Sequence, residues 1–183
     1  RPAGEDWPDR LGRCLAGGSD GSLGRLLAAR RDGRVAVIVE DLTRHSPLDR
    51  ILPLVLREVH HARIEPGQVE IVFATGMHPA MTPQEAQAKI GPLAAQYRWR
   101  CNPWQDHSAY AQVGEAQDVP LQVDRAVADA DLRIIVSSVS PHLQAGFGGG
   151  YKVLFPGCAS LETIRGLHRL GLSRRPRQLV GSD

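Results

Sequence analysis

Three short apolar runs, at 34–39, 69–74 and 132–136, recur along this chain between stretches of a different pattern. Each is rich in Val and Ile and bounded by polar residues or Gly. Runs this short and this rich in β-branched residues read as strands, and the first, apolar without a break from Val35 to Val39, signals a buried one. Between the first two, Leu48, Ile51, Leu52, Val55, Leu56 and Val59 recur at helical spacing. That predicts a helix over 47–62, with Ser46 as N-cap, Pro47 at its first position and Pro53 kinking it or marking its first turn. After the second run, Thr82 followed three residues later by Glu85 is a capping-box pattern. It opens a helix that reaches about Tyr97, with a break at Gly91-Pro92. Residues 98–114 read as irregular and aromatic-rich. A short strand at 119–123, a short helix at 124–130 and a helix from Ser160 to about Leu170 complete the pattern. Strands alternating with helices predict an α/β fold, a Rossmann-like and mostly parallel sheet flanked by helices.

Bulk properties narrow the function classes. A length of 183 residues is that of one ordinary domain, able to bury a core without staples. The net charge of +2 provides no field that would favour nucleic acid or a membrane surface. Cys14, Cys101 and Cys158 are widely spaced and form no CxxC pair, which fits a reducing, cytoplasmic setting rather than a disulfide framework. No apolar run approaches the length of a membrane span. The expected division is a loosely ordered lead-in at 1–32 with a short helix near 23–30, a domain at 33–172, and a basic tail at 173–183 carrying Arg174, Arg175 and Arg177.

Chemistry-bearing residues follow the strands. Asp41 and Arg44 come after the first run, His78 after the second and His142 after the third. In open α/β sheets ligands bind at the carboxyl ends of strands, so these residues can converge on one rim. Beyond them lie Gly146, Gly148, Gly149 and Gly150, whose backbone can approach a ligand closely and aim N–H groups at an anion. Lys152 follows at once. Of 22 basic residues only Lys89 and Lys152 are lysine, so its place beside the glycines stands out. Lys152 could pair with a phosphate or act as a nucleophile, and an exposed lysine after a surface turn would show the same residues. His78, His142 and His168 suit metal ligation or proton transfer. Asp41 and Arg44 suit either a structural ion pair or an arginine held ready for a carboxylate. Trp99 and Trp104 suit packing. These residues do not choose a reaction by themselves.

Three segments carry a resemblance: EDLTRHSP at 40–47, TGMHPAMTPQE at 75–85 and PHLQAGFGGGYKVLFPGCASLETIRGLH at 141–168. In this order and spacing the chain resembles the N-terminal domain of the nickel-dependent lactate racemase family. The resemblance implies a racemase or epimerase of a lactate-like 2-hydroxy acid, an isomerase. It implies a nickel-pincer nucleotide, a pyridinium bisthiocarboxylic acid mononucleotide that holds nickel, attached covalently to Lys152 through a thioamide. It further implies His168 as a nickel ligand, His78 and His142 as the acid/base pair, Arg44 as the ligand of the substrate carboxylate with Asp41 beside it, and Gly148, Gly149 and Gly150 against the cofactor. Proteins that synthesise the cofactor, a small hydroxy-acid substrate and a second domain absent from this chain are the implied partners. The sequence departs from the family pattern at Glu40, where Asp is usual, at Pro79, where Arg is usual, and around Gly148 and Tyr151. The chain opens on Arg1 and stops where a second domain would begin, as a fragment would. Two other readings follow from the same residues: a non-catalytic nucleotide- or metal-binding module, and a zinc hydrolase built on His78, His142 and His168.

Overall fold

A computed structural model describes residue 4 and residues 6–17, 22–142 and 146–173. Helices α1 (Trp7–Gly17) and α2 (Ser22–Ala28) lead into strand β1 (Val35–Val39), helix α3 (Leu48–His61) and strand β2 (Val69–Phe73). Helices α4 (Pro83–Ile90) and α5 (Leu93–Gln96) precede β3 (Arg98–Cys101), β4 (Tyr110–Ala116) and β5 (Val119–Asp124). Helix α6 (Arg125–Ala128), β6 (Leu132–Val136), the short strands β7 (Ser140–His142) and β8 (Gly146–Gly148) and helix α7 (Leu161–Ser173) follow.

The main sheet has the order β3-β2-β1-β6, and every pairing in it is parallel. The expected α/β class and parallel sheet are therefore borne out. All five residues of β1 are buried, because β1 lies in the middle of the sheet with helices over both faces. Val35, Val37 and Val39 pack into one core with Leu48, Leu52 and Leu56 of α3, while Ala36 and Ile38 join Val127 and Cys158 on the opposite face. Period-two alternation thus feeds two cores from one continuously apolar strand. The chain runs outward from β1 to β3, then returns to add β6 on the other side of β1. The carboxyl ends of β1 and β6 are therefore the topological switch point, the favoured place for a ligand crevice.

Several local expectations change. Helix α2 is the short helix expected near 23–30, whereas α1 replaces loose chain with a further helix, and Arg50 of α3 stacks its guanidinium 4.8 Å from the ring of Trp7. Residues 18–21 and the basic stretch 174–183 lie outside the described residues, as do residues 143–145 of the glycine-rich segment. Residues 98–114 are not irregular: they contain β3 and most of β4. β3 alternates Arg with Trp and Cys, and its edge position in the sheet tolerates that polarity. β4 pairs with β5 across Gln117 and Asp118, both at positive φ as a tight hairpin turn requires. Ser46 is not the N-cap of α3, which starts after Pro47 with no side-chain cap; the Ser46 N–H is drawn to Glu40 instead. The Thr82–Glu85 capping box is present as expected, and Trp99 packs edge-on against Phe73 with ring centroids 5.8 Å apart.

Candidate active site

The polar residues that follow β1, β2 and β6 meet at the switch point. A cavity of about 240 Å³ there is lined by Asp41, Arg44, His78, Gly149, Lys152 and His168, among others. Asp41 is nearly buried, and its Oδ2 accepts a hydrogen bond from Nδ1 of His78 at 2.6 Å. Its Oδ1 accepts from the backbone N–H and hydroxyl of Thr43 at 3.0 and 2.5 Å. The Asp41 carboxylate is thus spent on His78 and Thr43 rather than on an ion pair with Arg44. That bond fixes the tautomer of His78 with its proton on Nδ1 and leaves Nε2 to exchange protons with a bound molecule.

Lys152 lies in a short 3-10 turn, Gly150–Val153, directly after the glycines. Its Nζ donates to Nε2 of His142 at 2.9 Å. Through that contact His142, which does not line the cavity itself, is tied to it. Burial, and after it the Arg44 guanidinium, pull the Lys152 ammonium below its ordinary pKa. His142 is likewise lowered, first by burial and then by the charges of Lys152, Arg44 and His168. Both effects favour neutral, lone-pair-bearing nitrogens. Replacing Lys152 with Met removes one of the cations facing His142, so the His142 titration midpoint should move up toward the ordinary histidine value. NMR titration of its ring protons measures this, and an unchanged or lower midpoint would contradict the assigned coupling.

The three glycines have different functions. Gly149 has φ +84°, and a Cβ there would sit 1.8 Å from the carbonyl oxygen of Ser138, so the loop can close against β6 only with glycine. Gly148 packs beneath Arg44: a Cβ would stand 3.8 Å from its guanidinium. Gly150 donates its N–H to the hydroxyl of Ser137 at 2.9 Å. His168 enters from α7, one helical turn after the buried Ile164, and both residues line the cavity. Among the described residues no three His, Cys, Asp or Glu side chains stand together as an ion's ligand set, so the three histidines do not form the site a zinc hydrolase would need. A larger groove of about 490 Å³, beyond Met77, is lined by Pro79, Trp104 and their neighbours, and Asp106 is the one ionisable side chain lining it among the described residues.

Asn102 does not line this cavity but braces segments that do, and reading the sequence missed it. Its Nδ2 donates to the carbonyls of Gly76 and Ala159, both at 2.9 Å, and its Oδ1 accepts from the Tyr110 hydroxyl at 3.0 Å. It thereby joins the turn that carries His78 to the segment that launches α7. Asn102 follows β3 directly, so reading β3 as a strand would have put it at a carboxyl end like the others.

A family profile described as "Lactate racemase N-terminal domain" matches residues 22–181. The chain belongs to this family. The lactate racemase of Thermoanaerobacterium thermosaccharolyticum is 30% identical over 149 residues, covering 80% of this chain and 35% of that protein. The lactate racemase of Lactiplantibacillus plantarum is 28% identical over 156 residues, covering 84% and 37% respectively. The chain therefore spans about a third of the length of the curated relatives it matches. The structure of the lactate racemase apoprotein from T. thermosaccharolyticum superimposes with a TM-score of 0.77 at 29% identity, over 88% of this chain and 39% of that one. A crystal structure of a Thermotoga maritima protein shares the fold, with a TM-score of 0.71 at 21% identity over 96% of this chain and 44% of that one. In this member of the lactate racemase N-terminal domain family, the segments 40–47, 75–85 and 141–168 all contribute residues to the one rim.

Proposed function

We propose that this chain is the cofactor-bearing part of a racemase or epimerase acting on a lactate-like 2-hydroxy acid. The observation that carries the proposal is the gathering of Asp41-held His78, Arg44, Lys152 and His168 around one cavity, with His142 bonded to Lys152. These residues fit a nickel-pincer nucleotide. Gly149 lines the cavity, and its lack of a side chain lets the loop before Lys152 close onto Ser138. Among the described residues no set of three His, Cys, Asp or Glu stands ready for an ion, so His168 suits an ion whose other donors arrive with an organic ligand. Lys152, lowered by burial and by Arg44, suits covalent attachment through its amine.

When bound, that group would supply the hydride acceptor that the weakly acidic Cα–H of a hydroxy acid requires. The chain's own residues would do the rest. Arg44 binds the carboxylate by paired N–H donors and fixes which atoms face the cavity. His78, oriented by Asp41, exchanges the proton of the hydroxyl oxygen on one face of the substrate carbon. His142 does the same on the opposite face, so that configuration is lost in one direction and regained in the other. Exposed apolar side chains at this edge of the sheet (Leu42, Met77, Val139, Phe147 and Tyr151) form a rim that a second domain would cover to exclude water.

The test is to produce the chain together with the cofactor-synthesis proteins and to measure intact mass and peptide maps. The expected result is an adduct on the peptide containing Lys152, with nickel in step with it. An unmodified Lys152 under conditions that load a known lactate racemase would rule out the covalent assignment. Nickel binding without racemisation of lactate, even with the second domain supplied, would favour a non-catalytic module.

A further inference from the structure

The chain's other lysine ends at the same loop from below. Lys89 on α4 is buried, and its Nζ donates to the backbone carbonyl of Arg44 at 2.6 Å and to that of Ser46 at 3.4 Å. Glu40, also buried, places Oε1 3.7 Å from the same nitrogen. That oxygen accepts the Ser46 N–H at 3.1 Å, and Oε2 accepts the N–H and hydroxyl of Ser138 at 2.9 and 2.8 Å. Burial alone would push the Glu40 carboxyl up, but hydrogen bonds from Ser138 and Ser46 outweigh it and hold Glu40 below the usual range.

A buried ion pair contributes little net stability, because desolvation offsets the attraction. This pair does not take part in the proton transfers assigned above. Its contacts are geometric. It joins the loop carrying Asp41 and Arg44, helix α4, and the β6 exit at Ser138, whose carbonyl is the wall against which Gly149 closes.

We infer that Lys89 and Glu40 are a positioning pair that holds Arg44 and the Gly149 turn in the arrangement needed to bind the carboxylate of a 2-hydroxy acid. The inference rests on the reading of Arg44 as the carboxylate ligand. Lys89 acts on the main chain of Arg44 and lies outside the cavity lining. It explains why a chain so strongly biased toward arginine keeps lysine here. A slender ammonium can lie between two carbonyls, whereas a planar guanidinium needs a wider, forked set of acceptors.

The experiment compares the wild-type chain with Lys89→Met, Glu40→Gln and the double variant. The double variant leaves no unpaired buried charge and so guards against simple misfolding. Hydrogen exchange read by mass spectrometry reports segment 40–47 separately from β1 and α7. Binding of lactate, used as a carboxylate probe, is followed by NMR. In Lys89→Met and in the double variant, exchange in 40–47 should rise about tenfold or more while β1 and α7 stay protected. The lactate dissociation constant should rise about tenfold or more, in keeping with what small misplacements of binding groups cost. Exchange and affinity both within twofold of wild type would overturn the inference. So would a uniform loss of protection across all segments, which would mark a purely structural pair. If the wild type binds no lactate, the reading of Arg44 fails, and the exchange measurement still decides whether the pair holds the loop.

Discussion

Replacing Lys152 with Arg is expected to keep a cation in the cavity yet abolish covalent attachment of the cofactor. A guanidinium is charged at all working pH values and offers no free amine lone pair. Intact mass of the variant, made beside the cofactor-synthesis proteins, should show no adduct. In a protein carrying the second domain, lactate racemisation should fall by about 10⁴-fold or more, because the cofactor carries the difficult step. Retained racemisation within tenfold of wild type would remove Lys152 from the tether role. The charge-preserving substitution matters because Lys152 also acts on His142 at 2.9 Å. A Met variant would change two things at once, whereas Arg separates attachment from charge.

The second large effect is expected at Gly149. A methyl group there would lie 1.8 Å from the Ser138 carbonyl oxygen, and the backbone at φ +84° and ψ −169° is one that residues with a side chain scarcely adopt. Gly149→Ala should therefore lose about 3 kcal/mol or more in urea unfolding, from strain and overpacking together. It should also lift the loop off β6 and uncouple Lys152 from His142. Gly150→Ala is the control. Gly150 also has positive φ, at +55°, but a Cβ there meets nothing within 4 Å, so the expected cost is only about 1 kcal/mol. Equal losses at the two positions would show that the close approach to Ser138 carries no special weight.

Much of the fold is legible in the apolar pattern alone. The runs at 35–39, 69–73 and 132–136 are β1, β2 and β6, and the periodic stretch after Pro47 is α3. Buried strands and amphipathic helices declare themselves through apolar spacing, which is a property of a few neighbouring residues. β3 escaped because an edge strand can carry Arg98 and Arg100, so its pattern resembles a polar loop. Helix α1 escaped because its gain comes from lying against α3, with Arg50 over Trp7, and its own sequence contains glycines.

The site divides the same way. Asp41, Arg44 and His78 could be picked out because each closely follows a strand, and Lys152 because lysine is so rare. Their pairing could not be. The sequence allowed Asp41 to pair with Arg44, and the structure gives it to His78, 37 positions away. Lys89 stands out in the sequence only as one of two lysines, yet its amine holds the carbonyl of Arg44, 45 positions away. Asn102 ties together Gly76 and Ala159, which share no local pattern. Local composition was enough for the strands, the helices and the types of chemistry available, since those depend on short-range periodicity. The assignment of each carboxylate and amine to its partner depended on sheet order, which sets β6 beside β1 and brings distant strand ends to one edge.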